Sequence, residues 1–140
     1  MPEVFHYTAT KERCEERPGV TFGHVTEVAL LEITRDIKRQ LAEKCGLTPE
    51  AIKENHEGIA TAEQNWQYHS PIKEGDKFSV KVESGRIKMA SFWLIFNFFN
   101  SKGEKAATAG VKTCYFDTKA QRPKKIPDRM REKLLSMEQN

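Results

Sequence analysis

HVTEVALLEITRDIKRQLAEKC, residues His24 to Cys45, is the stretch whose reading decides the fold. It contains no Pro or Gly, is rich in good helix formers, and stops at Gly46, a residue suited to the left-handed position that follows a helix end. The segment therefore predicts one helix of about six turns. Placed at 100° per residue, Leu30, Ile33, Ile37, Leu41 and Cys45 define an apolar arc, with Glu27, Thr26 and Thr34 at its edge. Glu32, Arg35, Asp36, Arg39 and Glu43 share the opposite face, where Arg35 can pair with Glu32 at i+3.

Working outward, Thr48 and Pro49 supply an N-cap and a first helical position for a second, shorter helix ending near Asn55. Upstream, VFHYTAT (Val4 to Thr10) is short and rich in β-formers, so it is read as a strand. Lys11 to Phe22 is charged and holds Pro18-Gly19, which marks a loop or turn. Beyond Gly58 the character changes to strand. Ile59 to His69 is bounded by Ser70-Pro71, and Lys77 to Ser84 alternates Phe78, Val80 and Val82. Ile87 to Asn100 carries the run Phe92-Trp93-Leu94-Ile95-Phe96 and ends at the hairpin signal Ser101-Lys102-Gly103, after which Glu104 to Phe116 follows. A run apolar on both sides suggests a strand covered on both faces. Pro127 opens a short terminal helix in DRMREKLLSM.

Strand, long helix, short helix and then four strands describe an α+β layer with an antiparallel five-stranded sheet and one segregated helix. The 140 residues, 38% hydrophobic and 31% charged, suit one domain spanning 1–140, with about 120–140 as a tail. One helix cannot cover both faces of such a sheet, so a homodimer or homotetramer is expected. The net charge of +3 is small, and much of the excess lies in the tail at Arg122, Lys124, Lys125, Arg129, Arg131 and Lys133. A solvated tail, or a local anionic contact such as the phosphates of a nucleotide-bearing substrate, accounts for it, and no nucleic-acid partner is implied. No segment reaches the roughly 18 uninterrupted apolar residues of a membrane span, and MPEVFHYTAT has no leader pattern, so a cytoplasmic location is expected. Cys14, Cys45 and Cys114 lack C-x-x-C spacing and read as free thiols in a reducing compartment. His6, His56 and His69 show no metal spacing.

Several local signatures together resemble the hotdog-fold acyl-CoA thioesterases, in particular the 4-hydroxybenzoyl-CoA thioesterase-like branch. Gly23-His24-Val25-Thr26-Glu27 is similar to that branch's G-H-V-N-N helix start. Trp66-Gln67-Tyr68-His69-Ser70-Pro71-Ile72-Lys73-Glu74-Gly75-Asp76 is similar to its aromatic strand, turn and hairpin. VKTCYFDTKAQRPKKIP, Val111 to Pro127, looks like its last strand and exit. The resemblance implies a hotdog fold, its sheet wrapped around the long helix, and hydrolysis of an acyl thioester on CoA or an acyl-carrier protein, with no metal or organic cofactor.

The chain departs from the family in one respect. The loop Glu15 to Phe22 lacks the catalytic Asp that such members usually carry before the helix. Other hotdog thioesterases place the acid on the central helix, and the residues here offer Glu27 and Glu32, with Glu16 available only if the loop has gained a residue. Glu27 has Leu30 and Leu31 at i+3 and i+4, so no cation neutralises it along the helix. Its bland reading is a first-turn carboxylate favoured by the helix dipole or the N3 member of a cap. Its functional reading is a base or nucleophile whose partial burial raises its pKa. Backbone N–H groups near Gly23 and His24 are read as donors to the thioester carbonyl, with His24 orienting or donating. Gly23, Thr26, Trp66 and Tyr68 are read as substrate-binding, although such aromatics are more often core. Two competing functions stand beside hydrolysis. One is a hotdog dehydratase of 3-hydroxyacyl thioesters, which needs a loop His paired with a helix acid; the other is a non-catalytic acyl-ligand-binding or assembly protein.

Overall fold

The computed structural model describes Met1–Glu138. Five long strands form one antiparallel sheet in the order β1 (Glu3–Thr8), β5 (Lys77–Gly85), β6 (Ser91–Phe99), β7 (Lys105–Asp117), β4 (Glu57–Tyr68). The long helix α1 (Glu27–Lys44) lies against its concave face, so the α+β expectation and the five-strand count are met. A two-residue strand, β8 (Arg122–Pro123), adds to the end of β7 and was not foreseen.

The layers follow from the two periodicities. On β6 the residues alternate strictly, with Phe92, Leu94, Phe96 and Phe98 buried on the helix side and Trp93, Ile95, Asn97 and Phe99 half-buried on the other. From α1, Ala29, Leu30, Ile33, Ile37 and Leu41 close the same core. Burying each large side chain is worth roughly 1.5–3 kcal/mol, so this helix-on-sheet seam carries the stability. On the outer face Arg86 lies over the Trp93 ring at 5.7 Å, and Gly110 leaves the space that Trp93 fills.

Three boundaries differ from the sequence expectation. The helix begins at Glu27, not His24, because Thr26 is its N-cap, its Oγ1 accepting the Ala29 N–H at 3.1 Å. His24 instead forms a bridge with Lys73 across the chain, so residues 23–26 are not helical. The loop 11–22 contains a 3-10 turn at Glu12–Cys14 and a small hairpin of β2 (Glu15–Arg17) and β3 (Val20–Thr21), folded about Gly19 at φ +84°. The tail is not a solvated appendage. Ile126, Met130, Leu134 and Met137 are buried, with α3 (Asp128–Ser136) bearing two of them. Its basic groups are tied down as well: Lys133 pairs with Glu3, Lys124 pairs with Glu57, and Arg131 donates to the Lys88 carbonyl at 2.7 Å. The second helix α2 (Pro49–Asn55) is capped by Thr48 as expected.

The strand β4 forms one edge of the sheet. Its helix-side residues Ile59, Thr61, Gln64, Trp66 and Tyr68 reach past the shelter of α1, because α1 sits over the middle strands. Ala62 is an extra, unpaired residue between the Thr61–Thr113 and Glu63–Lys112 pairs, and this bulge keeps Gln64, Trp66 and Tyr68 on the helix side.

Candidate active site

The segment before α1 is held by backbone bonds from three directions. The Gly23 N–H donates to Thr21 Oγ1 at 3.0 Å, and Gly23 accepts the Glu74 N–H at 3.0 Å. Val25 donates to the Ile72 carbonyl at 2.8 Å and Thr26 to the Arg13 carbonyl at 3.0 Å. Gly23 adopts φ +75°, a conformation open to Gly at low cost, and that bend turns the chain into the helix. These ties fix where α1 starts and which way its first turn points.

A cavity of about 310 Å³ opens beside that turn, lined by His24, Val25, Glu27, Leu30, Tyr68, His69, Ser70, Pro71, Ile72, Ala106 and Ala107. Glu27 is the first helical residue, not the third, so its carboxylate lies at the positive end of the helix dipole. It is exposed in the single chain, whereas partial burial was expected. Its carboxylate is near enough to Tyr68 to help hold that phenol above its usual pKa, burial being the larger cause. Tyr68 stacks on Trp66 at 5.9 Å, and Trp66 leans on Phe98 at 6.0 Å, which fixes the aromatic wall. His24 Nδ1 lies 3.2 Å from the Val25 carbonyl; a carbonyl only accepts, so the ring proton belongs on Nδ1 and Nε2 is left as the acceptor.

Of the N–H groups suggested by the sequence, that of Gly23 is committed to Thr21 Oγ1, whereas that of His24 has no partner among the described residues; in the first turn of the helix those of Glu27 and Val28 have none either. Such a pair can receive an oxyanion.

Of the residues read from the sequence, His24, Glu27 and Tyr68 come together, and Gly23 and Thr26 sit in the segment that frames them. Trp66 backs Tyr68 but does not line the cavity. Glu32 is exposed on the far side of α1 and makes no ion pair with Arg35; the pairing on that face runs through Arg39, to Asp36 and Glu43. Glu16 is exposed on β2, away from the cavity. In the sequence His69 is weighed only as a metal ligand and Ser70 only as a turn signal, and Lys38, which is buried, is passed over. A lysine at the edge of the apolar arc, about three turns beyond Glu27 on the same side, was the available signal.

A second, larger hollow of about 590 Å³ runs between α1, α2 and β4, lined among others by Leu31, Thr34, Arg35, Lys38, Ile59, Thr61, Gln64 and Val111. Among the described residues no three His, Cys, Asp or Glu side chains converge as a metal-binding group, and no helix is long and apolar enough to cross a membrane.

Comparison with known proteins agrees with this architecture. The model of the thioesterase-like superfamily matches residues 18–134. The fold is similar to that of a Staphylococcus aureus protein solved in complex with CoA (16% identity, 100% of this chain and 87% of that one, TM-score 0.87). It is similar also to a 1,4-dihydroxy-2-naphthoyl-CoA thioesterase from Synechocystis (10%, 100% of each chain, 0.82) and to a DHNA-CoA thioesterase from Staphylococcus aureus (15%, 96% and 91%, 0.78). A long helix wrapped by one antiparallel sheet is the hotdog fold. The chain belongs to the thioesterase-like superfamily.

Proposed function

We propose that this protein hydrolyses an acyl-CoA or acyl-carrier-protein thioester to the free acid and thiol, with Glu27 as the base. The observation that carries the reading is the placing of Glu27 on the first turn of α1, facing a cavity whose aromatic wall is Tyr68. The thioester carbonyl accepts from the N–H groups of Glu27 and Val28. The Glu27 carboxylate takes a proton from water as the oxygen attacks the carbonyl carbon, and the negative charge that develops on the carbonyl oxygen faces the helix end. Collapse of the tetrahedral intermediate breaks the C–S bond, and the proton held by Glu27 passes to the departing thiolate. His24, through Nε2, orients the water. Gly23 and Thr26 hold the helix start in place, and no cofactor takes part.

The rest of the reading goes with this chemistry: residues 1–140 act as one domain, in the cytoplasm, as a homodimer or homotetramer. Support for a partner copy lies in β4, an edge strand of 12 residues flanked by the exposed side chains of Val28, Leu31 and Tyr68. Dehydration of a 3-hydroxyacyl thioester remains a second reading on one observation, that His69 lines the same cavity as Glu27.

Thiol release from a series of acyl-CoAs tests the proposal. Glu27→Gln is expected to lower kcat/KM by roughly 10²–10⁴-fold, while Glu32→Gln leaves it within about twofold. A fully active Glu27→Gln protein overturns the assignment. Enoyl product without thiol release selects the dehydratase, and neither product selects the non-catalytic binding reading.

A further inference from the structure

Lys38 is 8% exposed, and its ammonium has a single partner among the described residues, the Thr61 hydroxyl at 2.7 Å. An ammonium has three donors, so two of them face the hollow between α1 and β4 unused. Directly across the sheet from Thr61, on the same face, stands Thr113, fully buried, whose hydroxyl has no partner among the described residues. Opposed residues of an antiparallel pair hold their Cβ atoms about 5 Å apart, so Thr113 lies behind the polar cluster of Lys38 and Thr61, outside the lining of the hollow. Around it the walls are apolar, from Leu31, Ile59 and Val111. No carboxylate neutralises it: Glu43, at the mouth, is paired with Arg39, and Arg35 adds a second positive charge that makes no ion pair among the described residues. Burial, with help from Arg35, also pushes the Lys38 amine down to about 8. A desolvated cation with two unused donors, in a hollow open to solvent, is arranged to receive an anionic oxygen.

The cluster is aligned with the candidate active site. Lys38 follows Glu27 by 11 residues, three turns to within about 20°, so both lie on the same side of α1, about 16 Å apart along its axis. On β4, Trp66 stands between Tyr68, which lines the Glu27 cavity, and Gln64, which lines the Lys38 hollow.

We propose that the hollow takes the far end of the acyl group and that Lys38 and Thr61 bind a terminal carboxylate there, so that the preferred substrate is a medium-chain acyl thioester whose other end is a carboxylic acid. This rests on the thioesterase reading for the position of the thioester, but the anion site has its own test. A chain ending in methyl leaves two of the ammonium's three donors without partners, and a site built for an oxygen discriminates against the analogue that lacks it. A short aryl group anchored at Glu27 does not reach Lys38.

The test compares decanedioate with decanoate as ligands by calorimetry, and decanedioyl-CoA with decanoyl-CoA as substrates by thiol release, in wild type, Lys38→Met and Thr113→Val. Wild type is expected to favour the diacid at least tenfold in both measurements. Lys38→Met, which folds without a buried charge, loses the preference, and Thr113→Val, behind the wall of the hollow, leaves it within about twofold. Equal binding of the two acids to wild type, or a preference that survives in Lys38→Met, overturns the proposal. Lys38-dependent diacid binding with no thiol release from either thioester leaves the anion site standing and removes the thioesterase reading. Thiol release from both thioesters at equal rates does the reverse.

Discussion

Replacing Lys38 by Met keeps the length of the side chain and removes its charge, and the structure fixes both the size and the pH dependence of the result. The amine titrates at about 8 in the fold, against ~10.4 in an unfolded chain. Between these values the unfolded chain holds a proton that the folded one has released, so Lys38 makes stability rise with pH across that window. Below pH 8 the lysine is charged in both states and its burial cost is fully present. A difference of about 2.4 pK units at 1.36 kcal/mol each gives a cost of about 3 kcal/mol. Lys38→Met should therefore be up to about 3 kcal/mol more stable than wild type at pH 7, less whatever the Thr61 hydrogen bond contributes. Its advantage should shrink steadily between pH 8 and ~10.4. The assay is urea unfolding of both proteins at a series of pH values, read as a difference. The difference matters, because burial raises the Cys14, Cys45 and Tyr115 groups, whose contribution to stability falls as alkaline pH ionises them in the unfolded chain. Those terms are common to both proteins and cancel. A variant less stable than wild type at pH 7, or an advantage that does not change with pH, refutes the reasoning about this lysine.

Other substitutions probe the seam and the helix start. Thr26→Ala removes the cap and should cost about 1 kcal/mol in chemical denaturation, with a loss of thiol release because the first turn carries Glu27. Gly23→Ala meets no atom within 4 Å, so its cost of about 1–2 kcal/mol is the left-handed backbone alone, and an unchanged stability would contradict the φ of +75°. Ile37→Ala, at a fully buried position, should cost about 2–5 kcal/mol by denaturant titration. Glu57 is held below the usual carboxylate range by Lys124 and by the Tyr115 hydroxyl. A depressed acid stabilises above its unfolded value of ~4.3 and ceases to do so as pH falls through its folded value. Glu57→Gln should therefore be about 1–3 kcal/mol less stable at pH 7 and close to wild type in strong acid.

The parts of the fold that depend on local pattern were legible in the residues. The apolar arc of α1, the Thr48-Pro49 start of α2, the alternation of β5 and the hairpin at Ser101-Lys102-Gly103 all specify themselves within a few positions. The features missed are those made by distant partners. His24 to Thr26 read as helix because nothing local forbids it; the bonds from Gly23 and Val25 to the 72–74 turn, and from Thr26 to Arg13, outweigh that propensity. The β8 strand is two residues long and exists through its pairing with Phe116 and Asp117. The basic tail looked solvated by charge count, although Met130, Leu134 and Met137 repeat at helical spacing and are core. At the site, Glu27 and Tyr68 could be chosen from periodicity and resemblance, while His69 and Lys38 required the register of β4 against α1.

The central claim is that chemistry occurs at the start of α1, beside Glu27. A crystal structure with a non-hydrolysable thioether analogue of an acyl-CoA tests it most directly. The account predicts the sulfur in the cavity between Glu27 and Tyr68, with the carbonyl surrogate within hydrogen-bond distance of the Glu27 and Val28 N–H groups. A sulfur bound beside Glu32, or on the outer face near Trp93, would contradict it.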